Sequence, residues 1–240
     1  MTAEDDRRIL FATDFSTPAE RAYAYAAKLA LAFGARLIIL NVLEGPPGLD
    51  RESPVNTLFL KQLQEESDRA MAALIRVAQA DRLQPEPRHV YGNPASCIAT
   101  VAEEEAAPLI VMGTHGRTGW DRLLLGSTAA AVVREAPCPV LTVRMVEREQ
   151  AAGIPKADPM DRLLVPMDFS EFAQEAFEYA FILAKQLGAK VRLVHAMEAA
   201  AYPLDFALMH VTDEKALRGR IHQRLDELVA VLKAEGVDAD

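Results

Sequence analysis

Short apolar runs alternate along the first part of the chain with segments whose apolar residues recur every three or four positions. The runs predict buried strands, and the periodic segments predict amphipathic helices. The predicted strands occupy residues 8–13, 36–43, 88–91, 108–112 and 140–144, with a helix in each interval. Strands that alternate with helices in this way indicate a doubly wound, five-stranded parallel sheet with right-handed crossovers.

A glycine-rich loop follows the fourth predicted strand directly. Gly113 and Gly116 lie in this loop, and Gly126 precedes a predicted helix that begins near Ser127 and Thr128. Backbone N–H groups in such loops and at helix N termini bind anions. The spacing Gly-x-x-Gly-x9-Gly-Ser therefore predicts a phosphate-binding site. The alternative is that the glycines only shape turns and that Ser127 or Thr128 is an ordinary N-cap.

The end of the first predicted strand supplies a second candidate part of this site. Asp14 follows the first strand as Gly113 follows the fourth. In doubly wound sheets, ligands bind at the carboxyl ends of the strands, near the point where the strand order reverses. If strands one and four are adjacent, Asp14 and Gly113 face the same crevice.

The second part of the chain repeats the first at a constant offset of 154 residues. Residues 161–170 echo residues 7–16, and the correspondence stays in register beyond Gly34 and Gly188. Such register indicates a tandem duplication. The predicted domains are a complete one at 1–146, a linker at 147–159 and a truncated second copy at 160–240. Because residues 81–145 are expected to have no counterpart, the second copy is predicted to lack three strands and the glycine loop.

Asp14, Val42 and the glycine motif together resemble the universal stress protein superfamily, in particular its ATP-binding branch. The resemblance covers residues 6–146 and, as a half copy, 160–236. It implies a Rossmann-like, adenine nucleotide alpha hydrolase-like fold followed by a partial second copy. It also implies that Asp14 lies by the ribose and adenine, that the backbone of Val42 reads the adenine edge, and that the glycine motif holds ribose and phosphates. The implied nucleotide-binding residues are Ala12, Thr13, Asp14, Val42, Met112, Gly113, His115, Gly116, Arg117, Gly126, Ser127 and Thr128.

The resemblance leaves three functions open. The first is an ATP-binding stress or signalling module, in which ATP, ADP or AMP, with Mg²⁺ beside its phosphates, changes conformation or association. The second is a slow ATPase on the same site, although no general base is placed for it. The third is an interaction scaffold without a nucleotide. His115 and Arg117 either contact the phosphates or face solvent. No catalytic residue and no metal-binding side chain is predicted, so an enzyme is the less favoured reading.

The fifth predicted strand, at 140–144, bears on assembly. Universal stress protein domains commonly dimerise through this strand, and the truncated second copy offers it no partner within the chain. An unpaired edge favours pairing with another chain, so a homodimer through 140–144 is predicted. Asp168 matches Asp14, but without a phosphate loop beside it no second site is expected. The truncated copy is either completed by another molecule or packed as an appendage.

Charge and composition narrow the range of partners. The 240 residues carry a formal net charge of −9, which argues against nucleic acid and anionic membranes, because both require clustered Lys and Arg. Residues 1–8 lack the signal-peptide pattern, and no apolar run approaches the ~18 residues of a membrane span. With Cys97 and Cys138 isolated, we expect a cytoplasmic protein. The Walker A, Gly-x-Gly-x-x-Gly and Gly-x-Ser-x-Gly motifs are absent from the positions where their families need them.

Overall fold

The computed structural model describes the backbone of residues 7–45, 54–114, 125–144, 157–197 and 204–240, and the side chains of all of these except 54–55 and 204–214. The chain divides into two compact units, residues 1–158 and 159–240. Each unit is described separately below.

The first unit contains the predicted doubly wound sheet. Its strands are β1 (Arg8–Ala12), β2 (Arg36–Leu43), β3 (Pro85–Tyr91), β4 (Leu109–Gly113) and β5 (Val140–Val143). The helices are α1 (Thr17–Phe33), α2 (Pro54–Ala80), α3 (Pro94–Glu104) and α4 (Ser127–Glu135). All strand pairs are parallel, in the order β3-β2-β1-β4-β5. This arrangement confirms the predicted fold class.

Strand β3 begins at Pro85, earlier than the predicted start at residue 88. Pro85 and Pro87 both lie in the strand, opposite Leu37 and Ile39 of β2. Proline has no backbone N–H to donate, so it is tolerated in a strand at the edge of a sheet. Because β3 is at the edge, these prolines do not interrupt its pairing with β2.

Apolar side chains cover both faces of the five-stranded sheet, as expected of parallel strands between helix layers. On one face, strand residues pack with residues of α3 and α4; this cluster includes Leu10, Ile38, Ile110, Ile98, Val101 and Val132. On the other face, the rings of Phe11 and Tyr23 meet edge to face at 5.9 Å. The Tyr23 hydroxyl donates to Asp81 at 2.8 Å. Burial, and then this hydrogen bond, hold the pKa of Tyr23 well above its usual range.

The second unit repeats the start of the first. Its strands β6 (Arg162–Pro166) and β7 (Lys190–Val194) are parallel, and its helices are α5 (Glu171–Leu187) and α6 (Leu204–Ala234). Helix α5 ends at Gly188 with φ 65°, as α1 ends at Gly34 with φ 59°. Both helices thus end at a glycine in the left-handed conformation, which glycine adopts more readily than other residues.

The prediction that residues 81–145 have no counterpart is wrong for positions 81–86. Ala239 forms a parallel bridge with Val191 of β7, and the backbone N–H of Leu193 donates to the Asp240 carbonyl at 3.0 Å. At the offset of 154, Ala239 corresponds to Pro85, the first residue of β3. The start of a third strand is therefore present. The sequence did not reveal this pairing because residues 236–240 lack an apolar run, and the structure shows it only as an isolated bridge at Ala239.

The equivalent residues Leu10 and Leu164 provide a test of this architecture. Leu10 is fully buried under α3 and α4, whereas Leu164 is 67% exposed, because α5 and α6 cover the opposite face of β6 and β7. Leu10→Ala should lower the free energy of unfolding by about 2–5 kcal/mol, since it leaves a cavity in the core. Leu164→Ala should change it by less than about 0.5 kcal/mol. Urea unfolding followed by circular dichroism measures both, and equal losses would contradict the arrangement.

Candidate functional site

A cavity of about 580 Å³ lies at the carboxyl ends of β1, β2 and β4. Its position follows from the strand order, which reverses direction between β1 and β4. Ala12 of β1 pairs with Met112 of β4, so the segments that follow the two strands face each other. A crevice at this point is the general ligand site of doubly wound sheets. Asp14 and Gly113 both line it.

The structure places most of the predicted site residues around this one cavity. The residues that line it include Ala12, Thr13, Asp14, Val42, Met112, Gly113, Gly126, Ser127 and Thr128. The predicted residues His115, Gly116 and Arg117 lie outside the described part of the chain.

The turn after β1 holds Asp14 in a fixed geometry. One carboxylate oxygen of Asp14 accepts hydrogen bonds from the backbone N–H of Ser16 at 3.1 Å and from its hydroxyl at 2.5 Å. The N–H of Phe15 donates to the Thr13 hydroxyl at 3.0 Å. Phe15 has φ 59°, a left-handed conformation that is strained for a residue with a side chain. These local bonds stabilise a turn that the backbone would otherwise disfavour.

Gly113 is required by packing rather than by a special backbone angle. A β-carbon at this position would lie 3.1 Å from both the carbonyl carbon and the carbonyl oxygen of Pro18, in the first turn of α1. Since backbone atoms in a helix do not move aside easily, glycine at this position favours the close approach of β4 to α1. The close approach brings the end of β4 to the edge of the cavity.

The N terminus of α4 lines the cavity. Gly126 occupies the N-cap position, and its own N–H donates to the Thr114 carbonyl at 2.8 Å. No side chain among the described residues caps the helix. Ser127 and Thr128 are therefore the first two helical residues, and the N-cap alternative considered for them does not apply. Backbone N–H groups of the first helical turn have no partner within a helix, and they are suited to bind an anion.

Helix α2 and strand β2 supply cavity residues that the sequence reasoning missed. Leu63, Glu66, Ser67 and Ala70 of α2 and Asn41 of β2 line the cavity. Ser67 lies at helical spacing between Leu63 and Ala70, within the apolar stripe, and Asn41 interrupts an otherwise apolar strand. A polar residue at a buried position was the available signal, since such residues need a local partner.

The side chains of Asn41 and Ser67 are hydrogen-bonded to each other. The Asn41 side-chain N–H donates to the Thr13 carbonyl at 2.7 Å, and the Ser67 hydroxyl donates to the Asn41 side-chain oxygen at 2.7 Å. Both residues are buried. The bond to Thr13 ties β2 to the turn that carries Asp14.

The second unit repeats this turn with different side chains around it. Phe169, with φ 65°, matches Phe15, and hydrogen bonds from the hydroxyl and then the backbone N–H of Ser170 hold the pKa of Asp168 below its usual range. The Arg224 guanidinium carbon lies 4.0 Å from the centre of the Phe169 ring, and the His195 ring stacks on it at 5.3 Å.

Arg224 corresponds to Ala70 at the offset of 154. The ends of α2 and α6 support this register. After α2, the Leu83 N–H donates to the Ala78 carbonyl at 2.9 Å. The equivalent bond after α6 runs from the Val237 N–H to the Leu232 carbonyl, also at 2.9 Å. An arginine thus occupies, over Phe169, the place that a small residue leaves open over the first-unit turn.

The described residues contain no group of three or more His, Cys, Asp or Glu side chains placed to hold a metal ion. They also contain no helix that is long and apolar enough to cross a membrane. Cys97 and Cys138 are free and half-buried, and burial raises the pKa of each thiol, so neither is activated as a nucleophile.

A doubly wound parallel sheet with a crevice at the β1–β4 switch point and a helix N terminus at its rim defines the Rossmann-like class of α/β folds. The chain belongs to the universal stress protein family, whose family model matches residues 6–144 and 160–240.

Individual relatives agree with this assignment. The chain is similar to Universal stress protein MJ0531 of Methanocaldococcus jannaschii, with 34% identity over 145 residues that cover 60% of this chain and 85% of that protein. It is 41% identical over 141 residues to a Thermus aquaticus universal stress protein, with 58% of this chain and 98% of the relative covered.

Solved structures of the family match both the first unit and the whole chain. A universal stress protein from Archaeoglobus fulgidus matches 99% of this chain and 76% of its own, with a TM-score of 0.68 and 21% identity, which supports the fold alone. UspA from Lactobacillus plantarum matches 58% of this chain and 98% of its own, with a TM-score of 0.54 and 27% identity.

The packing role of Gly113 can be tested against another glycine. Gly113→Ala should lower the free energy of unfolding by about 1–3 kcal/mol, because the added methyl group overlaps the backbone of α1. Gly219 of α6 is the matched control, since a β-carbon there would meet no atom within 4 Å. Gly219→Ala should raise stability by up to about 1 kcal/mol through helix propensity. Chemical denaturation measures both changes, and a tolerated Gly113→Ala would refute the packing argument.

Proposed function

We propose that the first unit binds an adenine nucleotide in the cavity beside β1 and β4, and that the protein acts as a cytoplasmic, ATP-dependent stress-response or signalling module. The observation that carries this proposal is that the α4 N terminus and the Asp14 turn both line one cavity. The cavity volume lies within the range of small-molecule sites.

The chemistry of the walls matches the parts of a nucleotide. Apolar side chains, among them Ile98, Met112 and Ala70, offer a surface for the base. The Asp14 carboxylate is an acceptor for ribose hydroxyls. The N–H groups in the first turn of α4 suit phosphate oxygens. The family resemblance likewise implies that Asp14 lies by the ribose and that Gly126, Ser127 and Thr128 hold ribose and phosphates.

Binding, rather than hydrolysis, is the function that the geometry favours. The cavity carboxylates besides Asp14 are Glu44, which follows β2, and Glu66 of α2. Neither is on β4 or α4, where the phosphates are proposed to lie, so no described side chain serves as a general base there. Since no described cluster binds a metal, a Mg²⁺ ion would be held mainly through the phosphates, as is usual for this ion.

One nucleotide per chain follows from the comparison of the two units. Ala70 lines the cavity of the first unit, whereas Arg224 covers Phe169 at the corresponding place in the second. In the second unit, the Arg224 guanidinium thus takes the place that we propose for the base in the first.

We also propose that β5 joins two copies of the chain. Among the described strands, β5 pairs with β4 only and lies at the edge of the sheet. The Pro139 and Val143 carbonyls accept hydrogen bonds from Ile110 and Thr114. Backbone groups alternate in direction along a strand, so those of Thr142 point away from β4 and are available to another chain.

Substitutions at the equivalent positions Ala70 and Arg224 test the nucleotide site. ADP or ATP at about 100 times its dissociation constant should stabilise the protein by roughly 2.7 kcal/mol, which thermal melting detects as a shift of several degrees. Ala70→Arg should abolish this shift, because its side chain would cover Phe15 as Arg224 covers Phe169. Arg224→Ala is the control and should retain the shift.

Mass spectrometry of small molecules released from the purified protein measures the stoichiometry, which should be one adenine nucleotide per chain. A full shift in the Ala70→Arg variant would show that the nucleotide binds elsewhere. No shift and no released nucleotide in the wild type would favour the scaffold function instead.

The dimer is tested at the edge strand. Thr142→Pro removes an N–H that points away from β4, so it should convert a dimer to a monomer while it preserves the sheet. Light scattering coupled to size-exclusion chromatography measures the mass, and circular dichroism checks the fold. A wild-type protein that is monomeric across a wide concentration range would rule out this interface.

A further inference from the structure

A chain of hydrogen bonds connects the turn after β1 with the surface of α2. It continues the contacts of Asn41 and Ser67 described above. The Ser67 hydroxyl lies 3.1 Å from Nδ1 of His89 on β3, and Nε2 of His89 lies 3.3 Å from a carboxylate oxygen of Asp68. Ser67 is buried, His89 is half-buried and Asp68 is exposed. The chain therefore runs from the Thr13 carbonyl at the cavity to solvent.

The Thr13 carbonyl, at the buried end of this series of hydrogen bonds, fixes the direction of each of them. The Thr13 carbonyl only accepts, so the Asn41 amide directs its N–H to it and its oxygen to Ser67. The single hydroxyl proton of Ser67 must then go to that oxygen. Ser67 has no second proton, so it has to accept one from Nδ1 of His89.

Neither neutral form of His89 satisfies both of its neighbours. With the proton on Nδ1, the lone pair on Nε2 faces the Asp68 carboxylate. With the proton on Nε2, Nδ1 cannot donate to Ser67, and the Ser67 proton is needed in two places. The imidazolium ion donates from both nitrogens and satisfies Ser67 and Asp68 together.

The elements packed around His89 present few other charges. From α2, Asp68 faces the ring and also accepts a hydrogen bond from Gln64 at 2.8 Å. From β2, the register neighbour is the neutral Asn41. On β3 itself, Arg88 projects from the opposite face of the sheet, where it pairs with Glu105. Among the described residues, Asp68 is the charged group in contact with the imidazole.

We propose that His89 is a positioning residue whose protonation controls nucleotide affinity, by completing the hydrogen-bond chain that holds the Thr13 carbonyl and the Asp14 turn. This inference rests on the proposed nucleotide-binding function. In the neutral ring, the Asp68 carboxylate favours the proton on Nε2, from which it accepts a hydrogen bond, so Nδ1 becomes an acceptor. Nδ1 and the Asn41 side-chain oxygen then compete for the single Ser67 proton, and the hold on Asn41 weakens. The fraction of molecules with the turn in its binding geometry then falls, and the apparent affinity falls with it. By linkage, nucleotide binding favours proton uptake by His89.

The test compares ADP affinity at about pH 5.5 and about pH 8, on either side of the range in which histidine changes charge. Titration of the ADP phosphates is common to every variant, so it cancels when profiles are compared. Relative to His89→Gln, whose amide donates to Ser67 at any pH, the wild type should lose affinity by about fivefold at the higher pH. His222→Gln, at an exposed site on α6, is the matched control and should follow the wild-type profile.

Asp68→Asn separates this role from a merely structural one. Its side-chain N–H can donate to Nε2 of neutral His89, so the variant should keep its affinity at the higher pH. A structural role for the ion pair predicts the opposite, a loss of affinity in this variant. Asp68 is exposed, so the substitution leaves the core intact if His89→Gln does not fold.

Identical pH profiles for the wild type, His89→Gln and Asp68→Asn would overturn the inference and leave nucleotide binding in place. Failure of the wild type to bind ADP at either pH would instead overturn the proposed function, and the inference with it.

Discussion

The parallel pairing of β1 with β4 is the constraint on which the rest of the structure depends. The chain builds the sheet outward from β1, first through β2 and β3 on one side and then through β4 and β5 on the other. Because right-handed crossovers place the helices of the two halves on opposite faces, the ends of β1 and β4 are left without a helix between them. The cavity occupies this gap. The requirement for glycine at position 113 has the same origin, since β4 must end against the first turn of α1.

The duplication shows which features of the turn after β1 the two copies share and which they do not. Both copies place a phenylalanine at positive φ directly after an aspartate. In both, this aspartate accepts two hydrogen bonds from the serine two residues further along the chain. The copies differ in what approaches this turn from the following long helix, Ala70 in one and Arg224 in the other. They differ also at the end of the second strand, where His195 takes the place of Asn41 and donates to the Met167 carbonyl at 2.6 Å. The two copies thus share the backbone conformation of the turn, whereas the side chains that surround it differ.

The sequence predicted those features that are local, and it failed where two distant segments meet. Buried strands and the glycine motif are local, so the strand set and the β1, β4 and α4 parts of the site were available from the pattern. The start of β3 was missed because its prolines are compatible only with an edge strand. Which strand lies at the edge depends on the order of all the strands, which a local pattern does not reveal. The contribution of α2 was missed for a similar reason. Its stripe of Leu63, Ser67 and Ala70 looks like an ordinary core face until the helix is placed over the end of β2.

The buried polar residues at this junction need an explanation beyond stability. Two apolar side chains at positions 41 and 67 would fill the space without a hydrogen-bond requirement, and such replacements are often neutral or stabilising. The polar pair instead needs a donor at its outer end, because Asn41 and Ser67 both direct their protons toward the Thr13 carbonyl. His89 is the residue in place to supply that donor, and its other ring nitrogen lies 3.3 Å from the Asp68 carboxylate. The arrangement makes sense when the Thr13 carbonyl has to be held at a defined position, which is what a ligand site at the end of β1 requires and a merely folded core does not.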